Sequence, residues 1–169
     1  ITWFRPDEDR VLMSRKKLMA TLAYALGGRA AEQIIFGKVS TGALSDLEKV
    51  TKQAYAMVTV YGLSDKIGNI SFYDSSGQNE YSFNKPYSEK TAELIDQEVS
   101  EMVETAYART LQILTDNKDK LEKLAENLLE KEVIFKENLE VIFGKRQWDR
   151  EEDLAEKKTE VSEDLNEVA

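Results

Sequence analysis

Residues 88–117 read SEKTAELIDQEVSEMVETAYARTLQILTDN and contain the longest helical pattern in the sequence. Apolar residues recur in this stretch at the three- and four-residue spacing of an amphipathic helix. They are Leu94, Ile95, Val99, Met102, Val103, Ala106, Ile113 and Leu114. Ser88 is a suitable N-cap, and Asp116 with Asn117 predicts the end of the helix. A helix of this length favours a fold in which other helices pack along its apolar face.

Three glutamates of the same stretch, Glu98, Glu101 and Glu104, follow one another at three-residue spacing. A run of charges along one side of a helix is usually a solvated face. We therefore expect all three carboxylates to face water.

The sequence upstream predicts a helix that begins after Ser14 and continues to Gly37. Its apolar positions are Leu18, Leu22, Ala25, Leu26 and Ala30. Gly27 and Gly28 interrupt this pattern. Two glycines inside a helix cost about 2 kcal/mol relative to alanine, so we expect another backbone to approach them closely in compensation.

A second helix is predicted to begin near Ser45, which has the spacing of a capping box with Glu48, and to end at Gly62. Its apolar face is predicted to contain Leu47, Val50, Ala54, Met57, Val58 and Tyr61. Residues 63–87 follow, with a short β-like run at 70–73, and predict a small ribbon with an exposed loop at 74–79.

Two helices are predicted after residue 117. The first carries Leu121, Leu124, Leu128 and Leu129, and the second spans 137–143 and ends at Gly144, a suitable C′ residue. The fold class predicted from these patterns is all-α: an array of about five helices with a small β ribbon.

Composition excludes several kinds of chemistry. The chain has 169 residues, which suits one domain, and contains neither cysteine nor histidine. It therefore has no disulfide, no thiolate metal site, no cysteine nucleophile and no histidine general base or ligand of its own. A zinc site made of this chain alone would have only carboxylates to bind with.

The net charge of −9 arises mostly near the C-terminus, because residues 149–169 contain nine acidic and three basic residues. We predict an acidic, disordered tail over 149–169. The sequence has no basic stripe, which argues against a nucleic-acid binder. No apolar run approaches the roughly 18 residues of a membrane span, so we expect neither a membrane span nor a signal peptide within these residues. The chain begins at Ile1 within an apolar run, so we expect it to be a piece of a longer protein, truncated at its N-terminus.

Spacing alone gives only weak evidence for any functional site residue. Asp46 near the start of a helix is most simply a residue that favours the positive helix end. Glu32 would ordinarily be solvated, and Trp3 and Phe4 would belong to the buried face of a strand. The residues by themselves indicate an acidic, soluble, helical domain.

Five segments nevertheless resemble, in the same order, the peptidase domain of the FtsH-type, membrane-anchored, ATP-dependent zinc metalloproteases. They are LGGRAAEQIIFG at 26–37, STGALSD at 40–46, YGLSDKIG at 61–68, SEKTAELI at 88–95 and LLEKE at 128–132. The resemblance covers about residues 1–148 and implies that these form the C-terminal portion of a zinc metallopeptidase domain.

The resemblance implies the following site. In this family an H-E-x-x-H helix supplies two histidine ligands of zinc and a glutamate general base. The aspartate of the S-T-G-x-x-x-D segment, here Asp46, is the third ligand. Glu32 is implied to partner a ligand histidine, and Trp3 with Phe4 to be the remnant of a strand that pairs with the substrate. The H-E-x-x-H motif is not in this chain, so it holds no catalytic residue and is expected to be inactive alone.

The resemblance also implies the properties of the parent protein. These are a homo-hexamer that degrades unfolded or membrane proteins, zinc in the peptidase site, and ATP with Mg²⁺ in an upstream module. The parent is implied to be anchored in a membrane through its N-terminal part, with this domain facing the cytoplasm or an organellar lumen. One alternative stays open: a non-catalytic helical interaction or scaffold domain derived from such a peptidase.

Overall fold

The structure is a computed structural model that describes residues 12–73 and 86–145. Within these residues it contains six α-helices and one 3₁₀ turn, and no strand. The helices are α1 (Arg15–Ala25), α2 (Gly27–Phe36), α3 (Leu44–Thr59), α4 (Glu89–Asp116), α5 (Lys118–Lys131) and α6 (Lys136–Phe143); the 3₁₀ turn is Thr41–Ala43. The predicted all-α class is confirmed.

The chain divides into two units, one up to Asp116 and one from Asn117 onward. We call the described part of the first unit, residues 12–73 and 86–116, the bundle. In the bundle α4 packs against α1, α2 and α3. The core consists of Leu18, Leu22, Leu26, Val50, Ala54, Met57, Val58, Ile95, Val99, Met102 and Ala106. The longest predicted helix is therefore the element against which the others bury their apolar faces.

Two predicted N-caps are present in the bundle. The Oγ of Ser14 accepts a hydrogen bond from the backbone N–H of Lys17 at 3.3 Å, and α1 begins at the next residue. The Oγ of Ser88 accepts from the N–H of Thr91, also at 3.3 Å, just before α4. Each hydroxyl satisfies a donor that the first helical turn leaves without a partner.

The helix predicted to run from Ser14 to Gly37 is two helices, and the prediction of a single one is wrong. The chain turns at Leu26, which is buried, and Gly27 and Gly28 form the start of α2 instead of lying inside a helix. Leu26 occupies the core, and the break allows α1 and α2 both to contact α4. A Cβ added to either glycine would meet nothing within 4 Å, so the expected close approach is not made by any described residue.

The predicted capping box at Ser45 is also wrong. α3 begins at Leu44, and Ser45 already lies in its first turn. The 3₁₀ turn leads directly into this helix and replaces a side-chain cap. The carboxylate of Glu48 instead accepts from Lys52 one turn further along. At the other end α3 stops at Thr59, and the expected core residue Tyr61 is 57% exposed.

Residues 70–73 do not form the strand expected of a β ribbon. The N–H of Phe72 donates instead to the carbonyl of Thr59 at 2.7 Å, which attaches this segment to the end of α3. The Phe72 ring also packs edge-on against Tyr87, with 4.9 Å between ring centroids. The loop predicted at 74–79 lies outside the described residues, as does the tail predicted at 149–169.

Residues 117–145, which we call the hairpin, contain α5 and α6 in contact with each other. None of these residues is buried, although α5 carries the expected row of leucines. α6 ends at Gly144 as predicted. Across the part of the chain that the structure describes, no helix has the length and apolar character needed to cross a membrane.

Candidate metal centre

A short connection between α2 and α3 places Asp46 at the start of α3. Gly37 ends α2 in the left-handed conformation, with φ of 66°, which glycine adopts without steric cost. The Oγ of Ser40 accepts from the N–H of Gly42 at 3.2 Å and begins the 3₁₀ turn. Asp46 follows in the first turn of α3, where the positive end of the helix favours a carboxylate.

The Asp46 carboxylate is accessible. Its side chain is 48% exposed, and the ammonium of Lys49 lies 3.7 Å from one of its oxygens. An ion pair at that distance and exposure is weak, because water and salt screen it. A second cation could therefore compete for this carboxylate.

Asp46 is one of the residues that line a recess of about 920 Å³ formed by α1, α2, α3 and α4. The residues that line it are Ala20, Thr21, Ala23, Tyr24, Ala25, Gly27, Gly28, Asp46, Lys49, Val50, Gln53, Arg109, Thr110, Ile113 and Leu114. Most are small or apolar. Ile113, expected in the core, lines this recess and is 48% exposed.

The described residues do not form a zinc site by themselves. A zinc site needs three or four ligands, and no group of three or more acidic residues in the described ranges is arranged to hold a metal ion. Asp46 offers a suitable oxygen donor, while the absence of histidine and cysteine means that nitrogen or sulfur ligands must come from elsewhere. The chemistry of the described residues is therefore compatible with one carboxylate ligand of a zinc ion and not with a complete zinc site.

Glu32 contacts the connection that leads to Asp46. One carboxylate oxygen accepts the backbone N–H of Ser40 at 3.0 Å. Hydrogen bonds from the Ser40 side chain and from its backbone N–H, with a smaller contribution from the charge of Arg29, hold the pKa of Glu32 below its ordinary value. The expectation that Glu32 is solvated is therefore incomplete, and its role beside a ligand histidine stays a prediction. Trp3 and Phe4 lie outside the described residues.

Sequence reasoning missed one carboxylate entirely. Glu98, expected to face water, is buried, and its oxygens accept from the Oγ of Ser64 and the Nζ of Lys66, each at 2.6 Å. Burial raises the pKa of Glu98, but the hydrogen bonds from Lys66 and Ser64, with smaller contributions from the charges of Lys66 and Arg15, outweigh it and leave the pKa below its ordinary value. The partners lie more than 30 residues away in sequence, so no local pattern could have revealed them.

Comparison with known proteins identifies the family of this sequence. A sequence model described as peptidase family M41 matches residues 1–142. The chain is 52% identical over 146 residues to "ATP-dependent zinc metalloprotease FtsH" of Parabacteroides distasonis, which covers 86% of this chain and 21% of that protein. It is 48% identical over 141 residues to "ATP-dependent zinc metalloprotease FTSH 10, mitochondrial" of Arabidopsis thaliana, which covers 83% of this chain and 17% of that protein.

A third relative, "ATP-dependent zinc metalloprotease FtsH" of Rhodothermus marinus, is 46% identical over 140 residues, 82% of this chain and 20% of that protein. The chain thus spans about a fifth of the length of the curated relatives that it matches. Because the family model covers most of the sequence and the relatives are close to half identical over the same region, the chain belongs to peptidase family M41.

Proposed function

We propose that this chain is the C-terminal portion of the peptidase domain of an ATP-dependent zinc endopeptidase, to which it contributes Asp46 as a metal ligand. The observation that carries the proposal is the accessible carboxylate at the start of α3, beside an open recess. A ligand carboxylate must have a free oxygen and a fixed backbone. Asp46 has the first through its exposure and the second through its place in a helix.

The recess is the proposed seat of the segment that brings the remaining ligands. Gly27, Gly28 and several alanines line it, and a Cβ at either glycine would meet nothing within 4 Å. Small residues allow a neighbouring helix to approach closely, which is the approach that the glycine pair predicts. A helix seated there would also cover the exposed side chain of Ile113. That helix would then supply the ligands that complete the metal site to which Asp46 contributes.

Within this site the proposed role of the chain's own residues is to bind the metal. Asp46 would hold the metal through a carboxylate oxygen, and its negative charge would offset part of the metal's charge. When bound, zinc supplies a Lewis acid that polarises the carbonyl of the peptide bond to be cut. The general base belongs to the H-E-x-x-H segment, so this chain holds no proton-transfer residue of the reaction.

The properties proposed for the whole protein go beyond this chain. They are a homo-hexamer that degrades unfolded or membrane proteins, an upstream module that uses ATP and Mg²⁺, and a membrane anchor in the N-terminal part. The domain would face the cytoplasm or an organellar lumen, and Trp3 with Phe4 would belong to a strand that pairs with substrate. The relatives' names, which describe ATP-dependent zinc metalloproteases, one of them mitochondrial, support the use of ATP and the zinc-dependent proteolysis. The hexamer, the membrane anchor, the orientation and the substrate-pairing strand rest on the family resemblance.

The test is Asp46→Asn in the full-length protein, with casein as substrate. We expect proteolysis to fall by more than about 100-fold, because even groups that support a metal ligand indirectly cost 10–100-fold. ATP hydrolysis should persist, and zinc measured by atomic emission should be lost. Asp65→Asn is the matched control, since Asp65 is an exposed aspartate beyond the opposite end of α3. It should retain both activities and the metal.

The alternative function, a non-catalytic interaction or scaffold domain, predicts a different result. The wild-type full-length protein would then bind no zinc and cut no casein, and Asp46→Asn would change neither property. Full proteolysis and full zinc content in the Asp46→Asn protein would instead contradict the ligand assignment while leaving a peptidase in place.

A further inference from the structure

The connection between α2 and α3 is held by side-chain hydrogen bonds. Residues 37–43 separate the last residue of α2 from the first of α3. A carboxylate oxygen of Glu32, on α2, accepts a hydrogen bond from the backbone N–H of Ser40 at 3.0 Å. The Oγ of Ser40 in turn accepts a hydrogen bond from the backbone N–H of Gly42 at 3.2 Å. These two bonds link the body of α2 to the turn that starts α3.

We infer that Glu32 is a positioning residue: its carboxylate fixes the connection through Ser40 and thereby sets where Asp46 stands. The inference rests on the proposed function, because it concerns the ligand role of Asp46. It differs from the role expected from family resemblance, in which Glu32 acts on a ligand histidine. Here the bonded partner is a backbone N–H of this chain's own connection.

The physical reason lies in what the connection lacks. No residue between Gly37 and Ala43 is buried, so packing contributes little to its order. A hydrogen bond from a backbone N–H to an ionised carboxylate is stronger than one to a neutral acceptor. The hydrogen bonds from Ser40 also keep the pKa of Glu32 low, so the carboxylate stays ionised at neutral pH. Removing the carboxylate takes away the acceptor of the Ser40 N–H and with it this bond between α2 and the connection.

The first experiment uses this 169-residue chain, followed by amide hydrogen exchange in NMR. In Glu32→Ala we expect the Ser40 amide to exchange about tenfold faster, because its acceptor is gone, while amides of the core, such as that of Val99, keep their rates. Glu32→Gln retains an oxygen that can accept the bond and should change the rate by less than about threefold. Glu93→Ala, at an exposed glutamate of α4, is the control and should have no effect at Ser40.

Since the chain contains no histidine, a change in Ser40 exchange cannot pass through a ligand histidine. An unchanged Ser40 exchange rate in Glu32→Ala would overturn the inference. A loss of protection across the whole bundle would overturn it as well, because Glu32 would then support the fold and not the connection.

The second experiment tests the consequence for the metal in the full-length protein. Glu32→Ala should weaken zinc binding by about 10–100-fold in competition with a chelator. The loss of activity should appear in kcat at limiting zinc, recover with added zinc, and leave KM for casein unchanged. Glu32→Gln should restore most of the affinity. Unchanged zinc affinity in Glu32→Ala would contradict the link to Asp46.

The two proposals can fail separately. If Asp46→Asn retains zinc and proteolysis, the proposed ligand is wrong, whatever Glu32 does to the connection. If Asp46→Asn is inactive but Glu32→Ala exchanges and binds zinc like wild type, the ligand assignment stands and the positioning role falls.

Discussion

The bundle and the hairpin share the same helical spacing of apolar residues, but their side chains are buried to different degrees. Both contain helices with apolar residues at three- and four-residue spacing, and α5 has the more regular row of leucines. The bundle encloses a core to which α1, α3 and α4 all contribute, whereas no residue of the hairpin is buried. Two helices can cover each other on one side only, so an apolar stripe becomes a core when further helices close around it.

The largest expected effect is a difference between two leucines. Leu22 of the bundle is fully buried, whereas Leu129 of the hairpin is 85% exposed. Leu22→Ala should lower the free energy of unfolding by about 3–5 kcal/mol, because it removes buried methyl groups and leaves a cavity. Leu129→Ala should change it by less than about 0.5 kcal/mol. Urea denaturation followed by circular dichroism measures both.

Equal losses of stability for the two leucines would break the comparison. Such a result would mean that Leu129 is covered in solution.

The second comparison concerns ion pairs. In the bundle Glu98 is buried and bonded to Ser64 and Lys66, whereas in the hairpin Glu140 lies 3.9 Å from Lys136 at the surface. Glu98→Gln should lower the free energy of unfolding by about 1–2 kcal/mol at pH 7. The substitution removes the charge of the acceptor and can place an amide NH₂ group against the donors Ser64 and Lys66. Glu140→Gln should cost no more than about 0.5 kcal/mol.

The pH dependence of Glu98→Gln follows from the lowered pKa of Glu98. A carboxyl whose pKa is lower when folded stabilises the fold above its unfolded pKa, and that contribution is lost as pH falls through the folded value. The gap in stability between wild type and Glu98→Gln should therefore be constant near neutral pH and shrink below the ordinary value of 4.5. If this difference in stability widened on acidification, the pKa of Glu98 would be raised by folding and not lowered.

The smallest effects compare how one helix ends in each region. Gly37 directly follows α2 and has φ of 66°, and Glu132 directly follows α5 and has φ of 59°. A residue with a Cβ is strained in this conformation, so Gly37→Ala should destabilise the bundle by about 1 kcal/mol. Glu132→Gly should relieve the same strain. Because glycine has more conformational entropy in the unfolded state, which opposes this gain, the net stabilisation of the hairpin should be only a few tenths of a kcal/mol.

Thermal denaturation and local hydrogen exchange near residues 37 and 132 provide the measurement for this pair. Glu132→Ala is the matched control and should leave the hairpin unchanged, because it keeps the Cβ. Stabilisation by Glu132→Ala as large as by Glu132→Gly would attribute the effect to the lost charge.

Much of the fold follows from local patterns. The caps Ser14 and Ser88, the terminal Gly144 and the break at Asp116 were predictable because each depends on a backbone group within a few residues. The break at Leu26 was not. It depends on where α1 and α2 each meet α4, and a glycine pair alone does not show whether a helix continues or restarts.

The candidate site shows the same division. Resemblance in the S-T-G-x-x-x-D segment selects Asp46, and its place near a helix start follows from the pattern. The recess beside it, and the bond from Ser40 to Glu32, depend on the relative placement of four helices and a connection. Glu98 is the clearest miss, because its neighbours on α4 gave no sign of the loop that covers it.

The amino-acid sequence is enough to predict the all-α class, most helix ends, the absence of thiol and imidazole chemistry and the family, because these depend on residue identity and short-range spacing. The packing of the helices sets which carboxylates are buried or hydrogen-bonded, which amphipathic faces form the core, and the recess that Asp46 lines. These depend on contacts between residues tens of positions apart, which arise only when the helices pack together.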